Sequence, residues 1–174
     1  MTYKFLLFDL DHTLLDFDAA EDVALTQLLK EEGVEDIQAY KSYYVPMNKT
    51  LWKDLEQKKI TKADLVNTRF SNLFAHFGTE KDGVYLAERY QFFLSKQGQI
   101  FPGVENLLKT LIHYGYELYA ATNGITFIQT GRIEHSGIAT FFKEIFISEQ
   151  LHTQKPDPEF YEKIGARIPN FDKN

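Results

Sequence analysis

Phe8-Asp9-Leu10-Asp11-His12, running on into Thr13-Leu14-Leu15-Asp16, decides the fold, because it stands at the end of the apolar run that begins Phe5-Leu6-Leu7. Four large apolar residues in a row read as a short strand buried on both faces, as inside a parallel sheet. The strand stops at two carboxylates one residue apart. In open α/β sheets ligands collect beyond the carboxyl ends of the strands, which is where Asp9 and Asp11 fall. Two acids this close repel each other unless a cation lies between them or one holds a proton. Mg²⁺ takes oxygen ligands and keeps several waters, so Asp9 and Asp11 are candidate metal ligands.

Outward from this stretch the pattern divides. Between Phe17 and Gln97 no strand pattern stands out, and apolar residues recur at helical spacing, as in Leu65-Phe70-Leu73-Phe74-Phe77 and Val84-Leu86-Tyr90-Phe93-Leu94. Gly33, Pro46, the Ile60-Thr61 step and Gly78 are expected to separate the helices, and Thr61-Lys62-Ala63-Asp64 reads as a capping box. After Phe101-Pro102-Gly103 the chain alternates: a helix near Val104–Tyr114, a strand at Tyr116–Ala121, a helix near Thr126–Ser136, a strand near Glu144–Ile147 and a helix near Pro158–Ala166. Such alternation implies a parallel α/β sheet, with the helical block inserted after the first strand as a lid over the carboxylates.

Composition narrows the function. The 174 residues, 44% hydrophobic and 15% aromatic, suffice for one domain with an insertion. A net charge of −6 without a basic run argues against a nucleic-acid polymer as partner. The absence of cysteine excludes disulfides and thiolate chemistry. No run approaches the roughly 20 apolar residues that span a bilayer, and no signal-type stretch precedes the first strand. The expectation is a cytoplasmic protein with no membrane partner, in which a small anionic substrate would depend on locally placed cations and a metal ion.

Three strand ends carry the candidate chemistry. A carboxylate such as Asp9 attacks phosphorus without an activating base, and Asp11 is placed to protonate a leaving alkoxide and then deprotonate water. Thr122-Asn123-Gly124 offers a hydroxyl, an amide and backbone N–H groups at a helix start, an anion cradle. Lys155, in Lys155-Pro156-Asp157-Pro158, lies in backbone stiffened by two prolines, where an ammonium can neutralise both Asp9 and a phosphoryl oxygen. Read singly, each segment is also ordinary turn chemistry.

Together, in this order, they resemble the haloacid dehalogenase superfamily of phosphatases: Phe8-Asp9-Leu10-Asp11-His12-Thr13-Leu14, Ala121-Thr122-Asn123-Gly124 and Lys155-Pro156 are similar to its first three motifs. Gln129, Arg132, Ser148-Glu149 and Asp157 add a likeness to the pyrimidine 5′-nucleotidase branch. The resemblance implies an α/β fold with a Rossmann-like parallel core, residues 1–16 and 98–174, and a helical type-1 cap, residues 17–97. It implies a Mg²⁺-dependent phosphomonoesterase with an aspartyl-phosphate intermediate. Asp9 would be nucleophile and metal ligand, Asp11 acid/base with its carbonyl on the metal, and Thr122 and Lys155 holders of the phosphoryl group. It sets the first strand beside the second and the second beside the third. His12, Phe17 and Asp18 fall at its flap.

The family's fourth motif, a strand followed by further acids, has no counterpart before the sequence reaches Ile168-Pro169-Asn170-Phe171-Asp172-Lys173-Asn174, and Asp172 is a poor substitute. The 174 residues are therefore expected to be the front of a longer protein. By themselves they would hold metal weakly and leave Phe5–Phe8 as an apolar sheet edge, unless Glu149 or Asp157 completes the metal site. In the helical block Tyr43, Tyr44, Trp52, Arg69 and Phe70 are candidates for a substrate pocket or for plain core, and Arg132 for a surface charge or a support of the site. The resemblance implies a small phosphorylated metabolite as substrate, a nucleoside 5′-monophosphate or a similar small phosphate ester. A β-phosphoglucomutase-type phosphomutase and a non-catalytic phospho-ligand-binding module are the alternatives.

Overall fold

The structure, a computed structural model, describes residues 4–171. The chain separates into two compact units, one formed by the chain up to Ala20 and from Ser95 onward, the other by Glu21–Leu94. The first is an α/β unit. Its strands β1 (Phe5–Phe8), β2 (Glu117–Thr122) and β3 (Glu144–Ile147) form a parallel sheet in the order β1-β2-β3. Phe5 pairs with Glu117 and Phe8 with Ala120, while Tyr119 pairs with Glu144 and Thr122 with Ile147. The register brings Phe8, Thr122 and Ile147 to the same end of the sheet.

Burial follows strand position. β2, flanked on both sides, is buried from Leu118 to Thr122. β1 departs from the expectation of a strand buried on both faces: among the described residues it has a neighbour only on the β2 side, and Leu7 is 38% exposed. One core face gathers Leu10, Leu14, Leu15, Val104, Leu108, Leu118, Ala120, Ile133 and Ile138. The opposite face packs Tyr119, Phe146, Phe160 and Ile164.

Helices α5 (Val104–His113), α6 (Thr126–His135) and α8 (Pro158–Gly165) fall close to the expected spans. The four-residue α7 (Ser148–Leu151), directly behind β3, is too short for a periodic signal. α6 approaches residues 95–98 so closely that a Cβ at Gly131 would lie 2.5 Å from the Ser95 carbonyl oxygen, and one at Gly98 2.2 Å from the His135 carbonyl carbon. Glycine is required at both positions by space alone.

The second unit is helical. It holds α2 (Ile37–Glu56) and α3 (Lys62–His76), with most of α1 (Phe17–Glu31) and α4 (Gly83–Ser95). Thr61 and Asp64 close the capping box reciprocally at 3.1 Å in both directions. Pro46 does not break the helical block; it lies inside α2. Its neighbours explain this: Tyr44 and Asn48 on either side are buried, and Tyr44 stacks on Phe70 of α3 at 5.2 Å. Tertiary packing here outweighs the one backbone donor a proline removes. No described helix is long and apolar enough to cross a membrane.

Candidate active site

The loop that leaves β1 is tied down by its own apolar residues. Leu10, Leu14 and Leu15 are buried, and the Leu10 carbonyl accepts from the N–H groups of Thr13, Leu14 and Leu15 at 2.8–3.1 Å. His12 turns the chain with φ +59, and its ring lies 5.5 Å from that of Phe17. Asp16 ends the loop by capping α1, its carboxylate accepting from the Ala19 N–H at 3.0 Å. Asp9 and Asp11 are thus carried by a tight, leucine-anchored turn.

Each acid has its own cation. Asp9 Oδ1 accepts from the Leu10 N–H at 2.8 Å and from Lys155 Nζ at 2.7 Å. Lys155 Nζ also donates to the Ala121 carbonyl at 2.9 Å, which fixes it between β2 and Asp9. Asp11 Oδ1 accepts from Arg132 Nη1, and Oδ2 from Gln129 Nε2 at 3.0 Å. Gln129 Nε2 donates also to Thr122 Oγ1, at 2.7 Å. Arg132 is fully buried, with Nε directed to the Gln97 carbonyl at 3.3 Å and its Cζ 5.3 Å from the Phe17 ring centre. The repulsion inferred from the Asp9–Asp11 spacing is therefore relieved by two side chains of the chain itself, before any metal is considered. Arg132 is no surface charge and faces Asp11.

The loops behind β2 and β3 are joined. Asn123 Oδ1 accepts from the Lys155 N–H at 2.9 Å, and Asn123 Nδ2 donates to the Lys155 carbonyl at 3.0 Å. The Gly124 N–H donates to Ser148 Oγ at 3.1 Å and the Thr126 N–H to Glu149 Oε2 at 2.8 Å. The expected cradle of open N–H groups is corrected at these two positions: α7, starting directly after β3, supplies a hydroxyl and a carboxylate to them. Thr122 is buried, and its hydroxyl donates to the Asn123 carbonyl at 3.3 Å.

The structure thus gathers Asp9, Asp11, Thr122, Asn123, Gly124, Lys155 and Arg132 at one end of the sheet. Gln129 and Ser148 are known from the sequence only as marks of a resemblance, and Glu149 also as a candidate metal ligand; the structure gives all three contacts among these loops. Glu149 holds the start of α6, and Asp157 stands at the start of α8; Asp172 lies outside the described residues.

The remaining candidates belong to the helical unit. Tyr44 and Phe70 are fully buried core, and Tyr43 stacks on His76 at 3.7 Å. Trp52 is half-buried. Arg69 is buried, 5.0 Å from the ring centres of both Phe70 and Tyr90, with Nη1 3.4 Å from Asn48 Oδ1. Asn48 in turn donates to Glu21 at 3.0 Å. Burial pushes the Tyr44 and Tyr90 hydroxyls well above the ordinary phenol range.

Mg²⁺ fits the donors in part. Asp9 Oδ2 has no hydrogen-bond partner among the described residues, and the side chain is 46% exposed. Both carboxylate oxygens of Asp11 are engaged, so its main-chain carbonyl is the group it has left to offer. Among the described residues no three His, Cys, Asp or Glu side chains gather into a metal cluster. One carboxylate, a carbonyl, waters and a substrate phosphate form a donor set that Mg²⁺ accepts.

A turn bearing two carboxylates behind the first strand, a hydroxyl at the end of the second and a lysine behind the third are the features to set beside known proteins. The model of the haloacid dehalogenase-like hydrolase family matches residues 6–170, and the chain belongs to that family. It is 72% identical over 173 residues to the pyrimidine 5′-nucleotidase PynA of Streptococcus pneumoniae, covering 99% of this chain and 73% of that protein. The pyrimidine 5′-nucleotidase YjjG of Escherichia coli is 26% identical, with all of this chain and 75% of that protein aligned. The magnesium-bound crystal structure of the putative hydrolase YfnB of Bacillus subtilis superposes with a TM-score of 0.93 at 38% identity, covering 99% of this chain and 75% of that one.

Proposed function

We propose that the protein hydrolyses nucleoside 5′-monophosphates, pyrimidine ones foremost, through a phosphorylated Asp9. The observation that carries this reading is the ion pair of Lys155 Nζ with Asp9 Oδ1 at 2.7 Å, which leaves Oδ2 without a partner on an exposed carboxylate. Oδ2 attacks the phosphorus and the P–O bond to the sugar breaks; the leaving alkoxide takes a proton from the Asp11 carboxyl, which has to enter this step protonated and with one oxygen released from Arg132 or Gln129. Water then attacks the acyl-phosphate while Asp11 accepts its proton, releasing inorganic phosphate and restoring Asp9. Lys155 balances negative charge on Asp9 and on the transferring group throughout. Asp9 and the Asp11 carbonyl are the groups that would hold Mg²⁺, which when bound supplies positive charge to the phosphoryl oxygens.

The helical block, residues 17–97, is read as the cap that selects the leaving group, with Trp52 and Arg69 as its candidate contacts. The likeness to PynA supports a pyrimidine nucleotide. Such a substrate is an intracellular metabolite, and the reading carries a cytoplasmic location with it. The test is a steady-state comparison of pyrimidine and purine 5′-monophosphates with the full-length protein and Mg²⁺. A higher kcat/KM for the pyrimidine series is expected; no release of phosphate from any of them, or from p-nitrophenyl phosphate, would overturn the reading.

A further inference from the structure

We infer that Gln129 is a positioning residue: it commits the Thr122 hydroxyl to donate toward a phosphoryl oxygen and holds that hydroxyl in fixed relation to Asp11. The inference rests on the phosphatase reading above. Its basis is the hydrogen count at one amide. A side-chain amide nitrogen carries two hydrogens. Gln129 Nε2 spends one on Thr122 Oγ1 at 2.7 Å and the other on Asp11 Oδ2 at 3.0 Å. The opposite end, Oε1, faces the Arg132 guanidinium with Nη1 at 3.5 Å, so a carboxylate and a hydroxyl oxygen sit on the nitrogen side and a cation on the oxygen side.

A threonine hydroxyl has one proton to give. Because Thr122 Oγ1 already accepts from Gln129, that proton points away from the amide. It now reaches the Asn123 carbonyl at 3.3 Å, a long bond. An anionic phosphoryl oxygen is the stronger acceptor and takes over the proton. Were residue 129 an acceptor, the proton would turn inward and present lone pairs to a phosphate, which has only lone pairs to offer in return.

The arrangement is built to stay. Gln129 and Thr122 are both buried. A Cβ at Gly124 would come within 2.8 Å of Gln129 Cγ, so a side chain there would push the amide off its partners. Arg132, fully buried one turn further along α6, holds the other oxygen of Asp11. The amide therefore joins the group that would bind phosphate to the group that would move its proton, one hydrogen bond to each.

A double-mutant cycle on the full-length protein with Mg²⁺ tests this, reading binding of inorganic phosphate together with kcat and KM for p-nitrophenyl phosphate. Gln129→Met, similar in length and without a donor, is expected to weaken phosphate binding about tenfold, the scale of one hydrogen bond to an anion. In the Thr122→Val background the same change should shift binding less than about twofold, because the effect runs through the hydroxyl. If Gln129→Met does not fold, Gln129→Glu replaces it: its added charge acts in both backgrounds and cancels in the cycle. Equal losses in both backgrounds, or no loss in either, overturn the inference while the phosphatase reading stands. A wild-type protein that neither binds phosphate nor turns over substrate overturns both.

Discussion

Asp9 and Asp11 show how two residues of one kind, separated by a single leucine, are given different surroundings. Asp9 faces Lys155 and keeps an oxygen without a partner, whereas Asp11 has both oxygens held by Arg132 and Gln129. The proposed nucleophile thus belongs to the acid with an oxygen to spare. Asp9→Asn preserves the shape and removes the attacking charge, so phosphate release from p-nitrophenyl phosphate by the full-length protein should fall by several orders of magnitude. Activity of more than about a twentieth of wild type would exclude attack by Asp9. Lys155 could be placed from sequence because strand ends in a parallel sheet share one edge. The Arg132–Asp11 pair could not. It joins positions 121 residues apart, and no local pattern says which of two basic side chains meets which acid.

At the scale of the element, the turn behind β1 and the start of α3 make contrasting demands. Leu10 stands between the two acids with its side chain fully buried and its carbonyl accepting three N–H groups. Leu10→Ala should cost about 2–5 kcal/mol in chemical denaturation, and should lower kcat as well because the same residue fixes the acid spacing. An unchanged denaturation midpoint would mean the turn is held by its hydrogen bonds alone. At α3, the Thr61 hydroxyl and then its N–H hold the Asp64 carboxyl below its ordinary range. A lowered carboxyl stabilises the fold above the unfolded-state value and loses that contribution as pH falls through the folded one. Amide-exchange protection in the first turn of α3 should therefore decline below about pH 4, and Thr61→Ala, which removes the hydroxyl but keeps the N–H, should reduce that pH dependence. The capping box was legible because its spacing is local. The continuity of α2 through Pro46 was not, since it depends on the stacking of Tyr44 on Phe70 from another helix.

Over the whole molecule, the division of the chain into an α/β unit and a helical unit separates two kinds of sequence signal. Strand ends and glycines of the first carry motif-like spacing, so its site could be read in outline. The helical unit offers only periodicity, in which Tyr44, Phe70 and Trp52 look alike. The structure sorts them: Tyr44 and Phe70 are core, and Trp52 is half-buried. Arg69, held by Asn48 and lying beside the Phe70 and Tyr90 rings, is a cation buried within that unit. If the unit selects substrate as proposed, Trp52→Ala and Arg69→Met should each change the pyrimidine-to-purine ratio of kcat/KM, by about tenfold where an aromatic or charged contact is lost. Ratios matching wild type for both variants would assign the two side chains to packing.

The Asn123–Lys155 pairing bears on how the protein ages. An asparagine followed by glycine is the weak link of many polypeptides: the glycine nitrogen attacks the side-chain carbonyl carbon, ammonia leaves, and water opens the cyclic imide to aspartate or isoaspartate. Here both ends of the Asn123 amide are bonded to the main chain of Lys155, and the Gly124 N–H is turned toward Ser148. Ring closure requires those contacts to let go together. Folding therefore shields this step chemically, and any change that loosens the loop exposes the chain to irreversible loss of the donor that holds the Lys155 carbonyl. Damage of this kind would fall on the proposed phosphate-binding loop itself.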